Sequence, residues 1–259
     1  MKKTFSLIIV SLNTKIGFIK TLESIKSQSL KDFEIIVVDG ESNDGTALEI
    51  KKSENLITKK IIAKDNGIYD AMNKGLSLIN SELTLFMNCG DIFYNKNVLQ
   101  NIQKFYNNNY DIIFGDTLID YNSFQVFSKG RQFDNNTILM PFSHQSVFVK
   151  STLLKKNKFD LRYKLASDFD LFLNFYLKKI KFFKYSGIIS RVEAYGQSDR
   201  YRQKVFSENI RIFAEKKFYF KCLQLIFLKS YELIKIFIKL FIPNRLVNFF
   251  LKIKYQKLN

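Results

Sequence analysis

Short apolar runs alternate with helix-patterned segments through the first half of this chain, and this alternation restricts the fold more than any other feature. The apolar runs are residues 5–12, 33–38, 60–63 and 83–87, and helical spacing of apolar residues lies between them, as in residues 16–27. Continuous apolar runs of this length are typical of strands buried on both faces. Strands that alternate with helices predict an α/β fold with a mostly parallel sheet flanked by helices.

Polar side chains follow each of the predicted strands. Asn13, Asp39, Asp65 and Asp91 come directly or shortly after the four apolar runs. Parallel strands end at the same edge of a sheet, and open α/β sheets bind ligands beyond the carboxyl ends of their strands. The sequence therefore predicts a polar ligand site at this edge.

The remainder of the chain has a less regular pattern. Residues 111–116, 124–127 and 147–149 predict further strands, and residues 166–177 predict a helix. From about residue 201 the chain changes to long, basic, aromatic-rich stretches with helical spacing, which predict a C-terminal helical extension.

Charge and cysteine content limit the partners and the compartment. The 259 residues include 41 Lys+Arg against 24 Asp+Glu, a formal net charge of +17, which predicts nucleic acid, anionic lipid or a phosphorylated ligand as partner. Cys89 and Cys222 are far apart and form no CxxC pair, which argues against a disulfide framework or zinc site and fits a reducing compartment. The basic, apolar N-terminus lacks a small-residue cleavage site, so we interpret it as a strand rather than a signal peptide.

Three motifs suggest chemistry, and the first and third also have a structural alternative. Residues 39–46 form a polar turn that suits a helix cap and equally suits a nucleotide pocket, in which the first carboxylate accepts hydrogen bonds from base or ribose. The motif at residues 65–75 places Asn73 in a short helix, where we expect such polarity to have no packing purpose. Residues 86–91 end a buried strand at Asp91, which is either a turn residue or the oxygen ligand of a metal that bridges a diphosphate.

These motifs, in this order and spacing, resemble the family 2 glycosyltransferases of the GT-A fold, and most of all the bacterial members that build capsular, O-antigen and colanic-acid-type polysaccharides. The stretches that carry the resemblance are residues 6–13, 36–46, 65–75 and 85–91. The resemblance implies a Rossmann-like GT-A domain, with a nucleotide-sugar-binding half at residues 1–100 and an acceptor-binding half at residues 101–200. The composition of the chain adds a basic amphipathic helical region at residues 201–259, which we expect to associate with a membrane.

The resemblance implies a pocket for a nucleotide-diphosphate sugar. Ser11 and Asn13 would line this pocket, Asp39 would contact the base, and Asp65 would lie beside the base. Asn73, from the same motif as Asp65, is assigned to the same pocket.

The resemblance also implies a divalent metal, manganese or magnesium, bound by Asp91. The family's metal motif is commonly Asp-x-Asp, whereas Asn88 and Gly90 precede Asp91 in this chain. One carboxylate is therefore present where the family often has two.

In the acceptor half, the resemblance assigns Asp168 as the catalytic base. Family members commonly carry Glu-Asp at the start of this helix, and Ser167 replaces the Glu here. An inverting transfer needs a carboxylate near the acceptor hydroxyl group, although the helix dipole alone also favours an acid in a first turn. His144, the only histidine, and Gln145 match a segment that would bind acceptor or diphosphate; taken alone, such a histidine is more typical of a packed, hydrogen-bonding residue.

The function implied by the resemblance is an inverting transfer of a hexosyl or N-acetylhexosaminyl group from a nucleotide-diphosphate sugar, with a UDP-sugar favoured. The acceptor would be a glycan, linked to a polyprenyl diphosphate or another lipid, in surface polysaccharide biosynthesis. A nucleotidyltransferase is the first alternative, but residues 13–17 match poorly the Gly-rich basic loop that it would need. A nucleic-acid-binding protein is the second, suggested by charge alone; no recognition motif accompanies the charge, so we expect no nucleic-acid partner.

The tail at residues 218–259 predicts association with a membrane surface. It contains eight basic residues against one acid, Glu232, and ten aromatic residues. Its uncharged runs are shorter than the roughly 20 residues that a spanning helix needs, so we expect a peripheral protein on the cytoplasmic face of the membrane. An interfacial helix whose lysines favour anionic headgroups is one interpretation, and a helix packed against the catalytic core is the other.

Overall fold

The computed structural model describes residues 3–106, 109–121 and 123–239, so residues 240–259 of the predicted membrane-associating tail lie outside the described part. Contacts divide the chain into a first unit, Met1–Gly196, and a second unit that begins at Gln197. The first unit contains a nine-stranded sheet with helices, and the described part of the second unit is helical.

Four parallel strands form the first half of the sheet, with helices in the connections. The elements along the chain are β1 (Lys3–Ser11), α1 (Lys15–Lys26), β2 (Phe33–Asp39), α2 (Thr46–Lys52), β3 (Lys59–Ile62), α3 (Ile68–Leu76) and β4 (Ser81–Asn88). Across the sheet the order is β3-β2-β1-β4, and each neighbouring pair is parallel. The predicted alternation of strands and helices is confirmed.

The second half of the sheet is mixed in direction. Its elements along the chain are β5 (Ile92–Phe93), α4 (Val98–Phe105), β6 (Ile112–Asp120), β7 (Gln125–Ser128), β8 (Val147–Lys150), α5 (Ser151–Lys156), α6 (Ser167–Leu177) and β9 (Phe182–Glu193). Beyond β4 the order continues β8-β6-β9-β5, and β7 pairs with β6. β8 is antiparallel to both neighbours, whereas β6 and β9 are parallel. The α/β class is therefore confirmed, with a parallel first half and a mixed second half of the sheet.

β9 is the long strand that the sequence pattern did not predict. Its residues are mostly half-buried, so neither a continuous apolar run nor a clear alternation marks it. The strand ends at Glu193, whose backbone N–H donates to a carboxylate oxygen of Asp91 (N···O 3.3 Å). An element missed in the sequence therefore contributes a contact to the predicted metal ligand.

The register of the parallel strands brings the predicted polar residues to one edge. Ser11 in β1 pairs with Asp39 in β2, and Val10 pairs with Asn88 in β4. A slip of one residue would turn the apolar side chains of a strand to the wrong face, so the buried core fixes this register. The core residues that do so include Phe5, Leu7, Ile9, Phe18, Leu22, Val37, Leu85 and Met87.

A close contact with α1 fixes the turn at residues 88–91, which follows β4. A Cβ atom at Gly17 would lie 2.9 Å from the backbone nitrogen of Gly90. The Thr21 hydroxyl group donates to the carbonyl oxygen of Asp91 (2.7 Å) and accepts from the Gly90 N–H (2.9 Å). Gly90 adopts φ +105°, in the left-handed region that favours glycine. The helix and the turn thus meet backbone to backbone.

Helices form the described part of the second unit. They are α7 (Gln197–Arg200), α8 (Arg202–Glu215) and α9 (Tyr219–Lys239), which confirms the predicted helical extension. α9 folds back along α8, since Lys229 Nζ donates to Ser207 Oγ (2.7 Å) and Cys222 Sγ lies 3.5 Å from the carbonyl oxygen of Ile210. Within the ranges that the structure describes, every helix falls short of the length and apolar character that a membrane span requires.

One side of α9 is apolar and exposed. Its exposed positions recur at intervals of three and four residues, so they share a side of the helix. The buried residues Cys222 and Leu225 lie on the other side, toward α8. The exposed apolar side chains, which together we call the apolar stripe, are Tyr219, Phe220, Leu223, Ile226, Phe227, Tyr231, Leu233, Ile234 and Phe237.

We expect Gly17→Ala to destabilise the first unit, because the new methyl group would overlap the backbone of the 88–91 turn. Overpacking of this kind costs about 1–3 kcal/mol. For a chain of this size, calorimetry should find the Tm lowered by roughly 2–8 °C. Gly196→Ala is the matched control, because a Cβ atom there meets no described atom within 4 Å. Equal midpoints for Gly17→Ala and the wild type would mean that the turn tolerates displacement.

Candidate active site

A buried carboxylate organises the polar residues at the ends of β1 and β2. Asp39 is fully buried, and its Oδ2 accepts hydrogen bonds from the hydroxyl groups of Ser11 (2.7 Å) and Ser42 (2.6 Å). Its Oδ1 accepts from the Ser42 N–H (2.8 Å). Asn13, at φ +52°, joins the same loop: its N–H donates to Ser42 Oγ (2.8 Å), and its Oδ1 accepts from the Asn43 N–H (2.9 Å). The loop is thus held by its own polar groups at the edge of the sheet.

Asp65 lies beside this loop. A Cβ atom at Gly40 would be 2.5 Å from Asp65 Oδ2, so the glycine allows the carboxylate to approach the backbone after β2. Asp65 Oδ1 accepts from the Gly67 N–H (2.9 Å), which orients the side chain. The structure therefore brings together the pocket residues predicted on β1, β2 and the loop before α3, and their binding roles stay predictions.

Asp91 is buried at the end of the 88–91 turn. Its Oδ2 accepts a hydrogen bond from Gln145 Nε2 (2.9 Å), and its Oδ1 accepts from the backbone N–H of Glu193 (3.3 Å). Burial raises the pKa of Asp91 to about 6, although the hydrogen bond from Gln145 and the nearby His144 act in the opposite direction. A buried carboxylate with so little compensating charge would be stabilised by a cation.

The surroundings of Asp91 fit a metal that arrives with a ligand rather than one enclosed by the protein. Across the described residues, no group of three or more His, Cys, Asp or Glu side chains is placed to hold a metal ion. Mg²⁺ is commonly bound by one or two carboxylates together with waters and substrate phosphates. Asn88 Oδ1 is buried and has no hydrogen-bond partner in the described structure, so an oxygen acceptor at this turn is left for a ligand.

A 3-10 turn, His144–Ser146, lies between Asp91 and Asp168. Gln145 contacts Asp91 through the hydrogen bond given above. His144 Nδ1 lies 3.1 Å from Asp168 Oδ2. Two neighbouring side chains on one turn therefore contact the two carboxylates that the sequence singled out.

This turn is anchored from both sides. The hydroxyl group of the buried Ser146 lies 2.7 Å from Thr117 Oγ1 on β6 and 2.6 Å from Ser190 Oγ on β9. On its other side, His144 Nε2 lies 3.3 Å from Asn88 Nδ2. Contacts with β6 and β9 thus fix the position of the turn in the sheet, and the contact with Asn88 at the end of β4 orients the imidazole ring.

Asp168 lies in the first turn of α6 and accepts three hydrogen bonds. The donors are the Tyr69 hydroxyl group (2.9 Å) and the Phe169 N–H (2.8 Å), both to Oδ1, and His144 Nδ1 (3.1 Å) to Oδ2. Burial acts to raise the pKa of this carboxyl group, but the donors together outweigh burial, so the pKa lies below its ordinary value. Asp168 is therefore ionised at neutral pH.

Asp91 and Asp168 contact the same turn but lie in opposite environments. Asp91 is buried with few donors and is harder to ionise, whereas Asp168 is saturated with donors and easy to ionise. Carboxylates whose surroundings push their pKa values apart are suited to different tasks. Asp91 suits the binding of a cation, and Asp168 suits contact with a hydroxyl group that loses its proton.

Asn73, which the sequence assigned to the nucleotide pocket, binds the backbone of Phe159. Its Nδ2 donates to the carbonyl oxygen of Phe159 (2.9 Å), and its Oδ1 accepts from the Phe159 N–H (3.0 Å). The Phe159 ring packs against Tyr69 and Phe86, with both centroid distances at 5.3 Å. The polarity of this helix therefore has a packing purpose, contrary to our expectation from the sequence. The assignment of Asn73 to the nucleotide pocket gains no support from these contacts.

Several contacts of the site escaped the sequence analysis. Tyr69 lies within the 65–75 motif, where its role was not separable from those of its neighbours. Tyr69 is buried, and a buried tyrosine needs a partner for its hydroxyl group, but only the structure shows this burial. Glu193 was missed together with β9, and Ser42 was one of several polar residues in its loop.

Sequence comparisons find relatives for most of the first unit. The family model described as Glycosyl transferase family 2 matches residues 6–183. The PGL/p-HBAD biosynthesis glycosyltransferase of Mycobacterium bovis (strain BCG / Pasteur 1173P2) is 33% identical over 175 residues, which cover 64% of this chain and 67% of the relative. The amylovoran biosynthesis glycosyltransferase AmsB of Erwinia amylovora is 31% identical over 105 residues, or 38% of this chain and 35% of the relative.

Solved structures share the fold. S. aureus TarS 1-349 in complex with UDP-GlcNAc has a TM-score of 0.64 at 20% identity, over 82% of this chain and 65% of that chain. The mannosyltransferase PcManGT from Pyrobaculum calidifontis, in complex with GDP-Man and Mn²⁺, has a TM-score of 0.64 at 13% identity, over 83% and 64%. This chain thus spans slightly less than two thirds of the length of these structures. At such identities the likeness shows the fold alone.

We expect Asp91→Asn to stabilise the protein at pH 7.5 without metal or nucleotide, because it removes a buried charge and keeps the size of the side chain. The folded-state pKa of about 6 lies above the ordinary 3.8. The cost of the charge is therefore present above pH 6 and is relieved as the pH falls below 6. The difference between these pKa values corresponds to about 3 kcal/mol as an upper limit.

Urea unfolding at pH 7.5 and at pH 5 measures this effect. The gain in unfolding free energy of Asp91→Asn over the wild type should be larger at pH 7.5 than at pH 5. Asp199→Asn, at an exposed position, is the control for the change in net charge. A loss of stability at pH 7.5, or the same change at both pH values, would contradict the expected burial cost.

Proposed function

Because the chain belongs to glycosyl transferase family 2, we propose that it transfers a sugar from a nucleotide-diphosphate sugar to a hydroxyl group of a glycan acceptor, with inversion at the anomeric carbon. The family match confirms the resemblance found in the sequence motifs. A UDP-sugar is the donor that we favour, with a hexosyl or N-acetylhexosaminyl group to transfer.

The observation that carries this proposal is the position of the His144–Ser146 turn. Its first two residues contact Asp168 and Asp91, so one short turn connects the two carboxylates. Inverting transfer needs charge stabilisation at the leaving diphosphate and a base at the acceptor hydroxyl group, on opposite sides of the reacting carbon. The arrangement of Asp91 and Asp168 supports this division of roles.

The loop around Asp39 is the proposed nucleotide pocket. A carboxylate has about four lone-pair positions, and Ser11 and Ser42 occupy three of them at Asp39, so one is left for a donor on the base. Asn13 and Asp65 border the same loop with further polar atoms. TarS with UDP-GlcNAc and PcManGT with GDP-Man have the same fold, and this supports a nucleotide-sugar donor here.

Asp91 is the residue that would hold a manganese or magnesium ion. Such an ion supplies positive charge for the departing diphosphate. Asp91 is a single carboxylate, so the diphosphate would have to provide other ligands, and metal binding without nucleotide should be weak. The structure of PcManGT with Mn²⁺ supports a divalent metal in this fold.

The acceptor is proposed from the names of the relatives. They are glycosyltransferases of PGL/p-HBAD biosynthesis and of amylovoran biosynthesis. These names support a role in polysaccharide or glycolipid biosynthesis, and we propose a surface glycan as the product. A lipid-linked acceptor, such as a polyprenyl-diphosphate glycan, would agree with the apolar stripe of the second unit.

We expect Asp168→Asn to bind the donor but to lose transfer by roughly a hundredfold or more, the usual scale of general-base effects. The measurement is a screen of nucleotide sugars, with and without manganese, that follows donor turnover and sugar transfer. Asp170→Asn is the control: Asp170 Oδ2 accepts from Asn174 Nδ2 (3.0 Å) within α6, so the loss of activity should be smaller. Equal losses at both positions would remove the role proposed for Asp168, and no turnover with any donor would contradict the proposed function.

The second unit would hold the enzyme at the anionic, cytoplasmic surface of a membrane. The net charge of +17 favours an anionic surface over a second copy of the chain as the partner of the apolar stripe. Two lysines of α9 turn toward α8 instead of flanking the stripe: Lys229 donates to Ser207, and Lys221 Nζ lies 5.2 Å from the ring centre of Phe213. Insertion of apolar side chains would therefore contribute most, and binding should weaken only in part with salt.

Co-sedimentation of the full chain with vesicles tests this role. We expect the wild type to pellet with anionic vesicles and the double variant Leu223→Glu, Phe227→Glu to remain largely in the supernatant, because two charges interrupt the stripe. Leu48→Glu on α2, also at an exposed leucine, should pellet like the wild type. Wild type that stays in the supernatant at low salt would end the membrane proposal, and a dimer in that sample would make a second copy the occupant.

A further inference from the structure

The carboxylate of Asp168 has most of its lone pairs occupied. Oδ1 accepts hydrogen bonds from the Tyr69 hydroxyl group (2.9 Å) and the Phe169 N–H (2.8 Å), which fill both of its lone-pair positions. Oδ2 accepts one hydrogen bond, from His144 Nδ1 (3.1 Å). Among the described residues the second lone pair of Oδ2 has no donor, and 16% of the side chain is exposed. The hydroxyl group of a bound acceptor can therefore donate a hydrogen bond to this one lone pair of Oδ2.

We propose that Tyr69 and His144 are positioning residues that orient Asp168 so that the open lone pair of Oδ2 receives the proton of the acceptor hydroxyl group. This inference rests on the proposed function, in which Asp168 is the general base. In the transfer, the acceptor O–H bond breaks, its proton bonds to Oδ2, and the electron pair left on oxygen forms the bond to the anomeric carbon. The bond from that carbon to the diphosphate breaks, and its electron pair leaves on the diphosphate.

Tyr69 is held in place independently of Asp168. Its ring packs against Phe159 at a centroid distance of 5.3 Å, and Asn73 binds both the N–H and the carbonyl group of Phe159. Asn73 lies one turn after Tyr69 on α3, so helix, phenylalanine and tyrosine form one packed group. The hydroxyl group therefore reaches Asp168 from a fixed ring, and the polarity of the 65–75 motif serves this purpose.

His144 contacts a neighbour through each of its ring nitrogens. An ionised carboxylate only accepts hydrogen bonds, so Nδ1 carries a proton toward Asp168. Nε2 lies 3.3 Å from Asn88 Nδ2. The imidazole thus connects Asp168 with the end of β4, where the metal and diphosphate are proposed to bind. The base and the donor side of the site are linked by one side chain.

The contacts favour orientation over basicity. The donors stabilise the ionised form and hold the pKa of Asp168 below its ordinary value, so they weaken the carboxylate as a base. Correct placement of a reacting group can offset such a loss, because orientation removes a large part of the barrier to reaction. The rate should therefore fall when a donor is removed, even though the carboxylate becomes more basic.

Tyr69→Phe tests the first contact, because it removes one hydroxyl group and keeps the ring against Phe159. We expect kcat to fall roughly tenfold, as for the loss of one hydrogen bond to a charged group, with KM for the nucleotide sugar nearly unchanged. Tyr176→Phe is the matched control, since its hydroxyl group donates to Asn135 Oδ1 (3.1 Å), away from Asp168. A Tyr69→Phe variant with wild-type kcat would overturn the role of Tyr69.

His144→Asn and His144→Leu form a second matched pair. The amide of asparagine offers a donor near the position of Nδ1, whereas leucine has nearly the same size and no donor. We expect the kcat of His144→Asn to exceed that of His144→Leu by roughly tenfold. Equal, complete inactivity of both would make His144 itself the base. A change in KM with unchanged kcat would make it a substrate ligand, and either result would overturn the inference.

Carbon-13 NMR of aspartate carboxyl groups in the full chain, without substrate, separates this inference from the proposed function. The resonance missing in Asp168→Asn identifies Asp168. Its titration should move to higher pH in Tyr69→Phe and in His144→Leu, because each variant removes a donor to the ionised form. If this shift occurs but no donor gives transfer, the proposed function fails and the positioning contacts are retained. An unchanged titration in both variants overturns the inference.

Discussion

The site depends on the backbone contact between α1 and the turn after β4. Because residue 17 has no Cβ atom, the helix reaches the backbone of Gly90, and Thr21 then binds both sides of the turn. This contact sets the position of Asp91, whose N–H donates to the carbonyl oxygen of Asn88 (3.1 Å). Asn88 contacts His144 and Asp91 contacts Gln145, so the same backbone contact also positions the partners of the His144–Ser146 turn. The rest of the site is assembled on this fixed point.

From that point, hydrogen bonds extend in a chain through the interior of the first unit. Gln145 contacts Asp91, His144 contacts Asn88 and Asp168, and Tyr69 closes the far end of the chain. Polar groups in a poorly solvated site are costly when unpaired, so each member restricts the orientation of the next. The carbonyl oxygen of the Asn88 side chain is the exception, and it is left at the place where the proposed donor would bind.

The second unit differs from the first in that its described part exposes a large apolar surface. Phe206 and Phe213 of α8 and Leu225 of α9 are buried, while one side of α9 leaves large apolar side chains exposed. Exposed apolar surface of this extent favours association with another apolar phase. Lys221 and Lys229 turn toward α8, so attraction of a basic helix to an anionic surface does not by itself explain this stripe.

The sequence by itself determined the strand and helix alternation, the parallel first half of the sheet and the edge where Asp39, Asp65 and Asp91 lie. Burial patterns have a short period along the chain, and the carboxyl ends of parallel strands always share an edge, so local information was sufficient. Only the tertiary structure decided that Tyr69 bonds to Asp168, 99 residues away, and that Asn73 holds Phe159. It also decided that β9 supplies a donor to Asp91. These contacts depend on how side chains pack between distant elements, and no local period in the sequence records that packing.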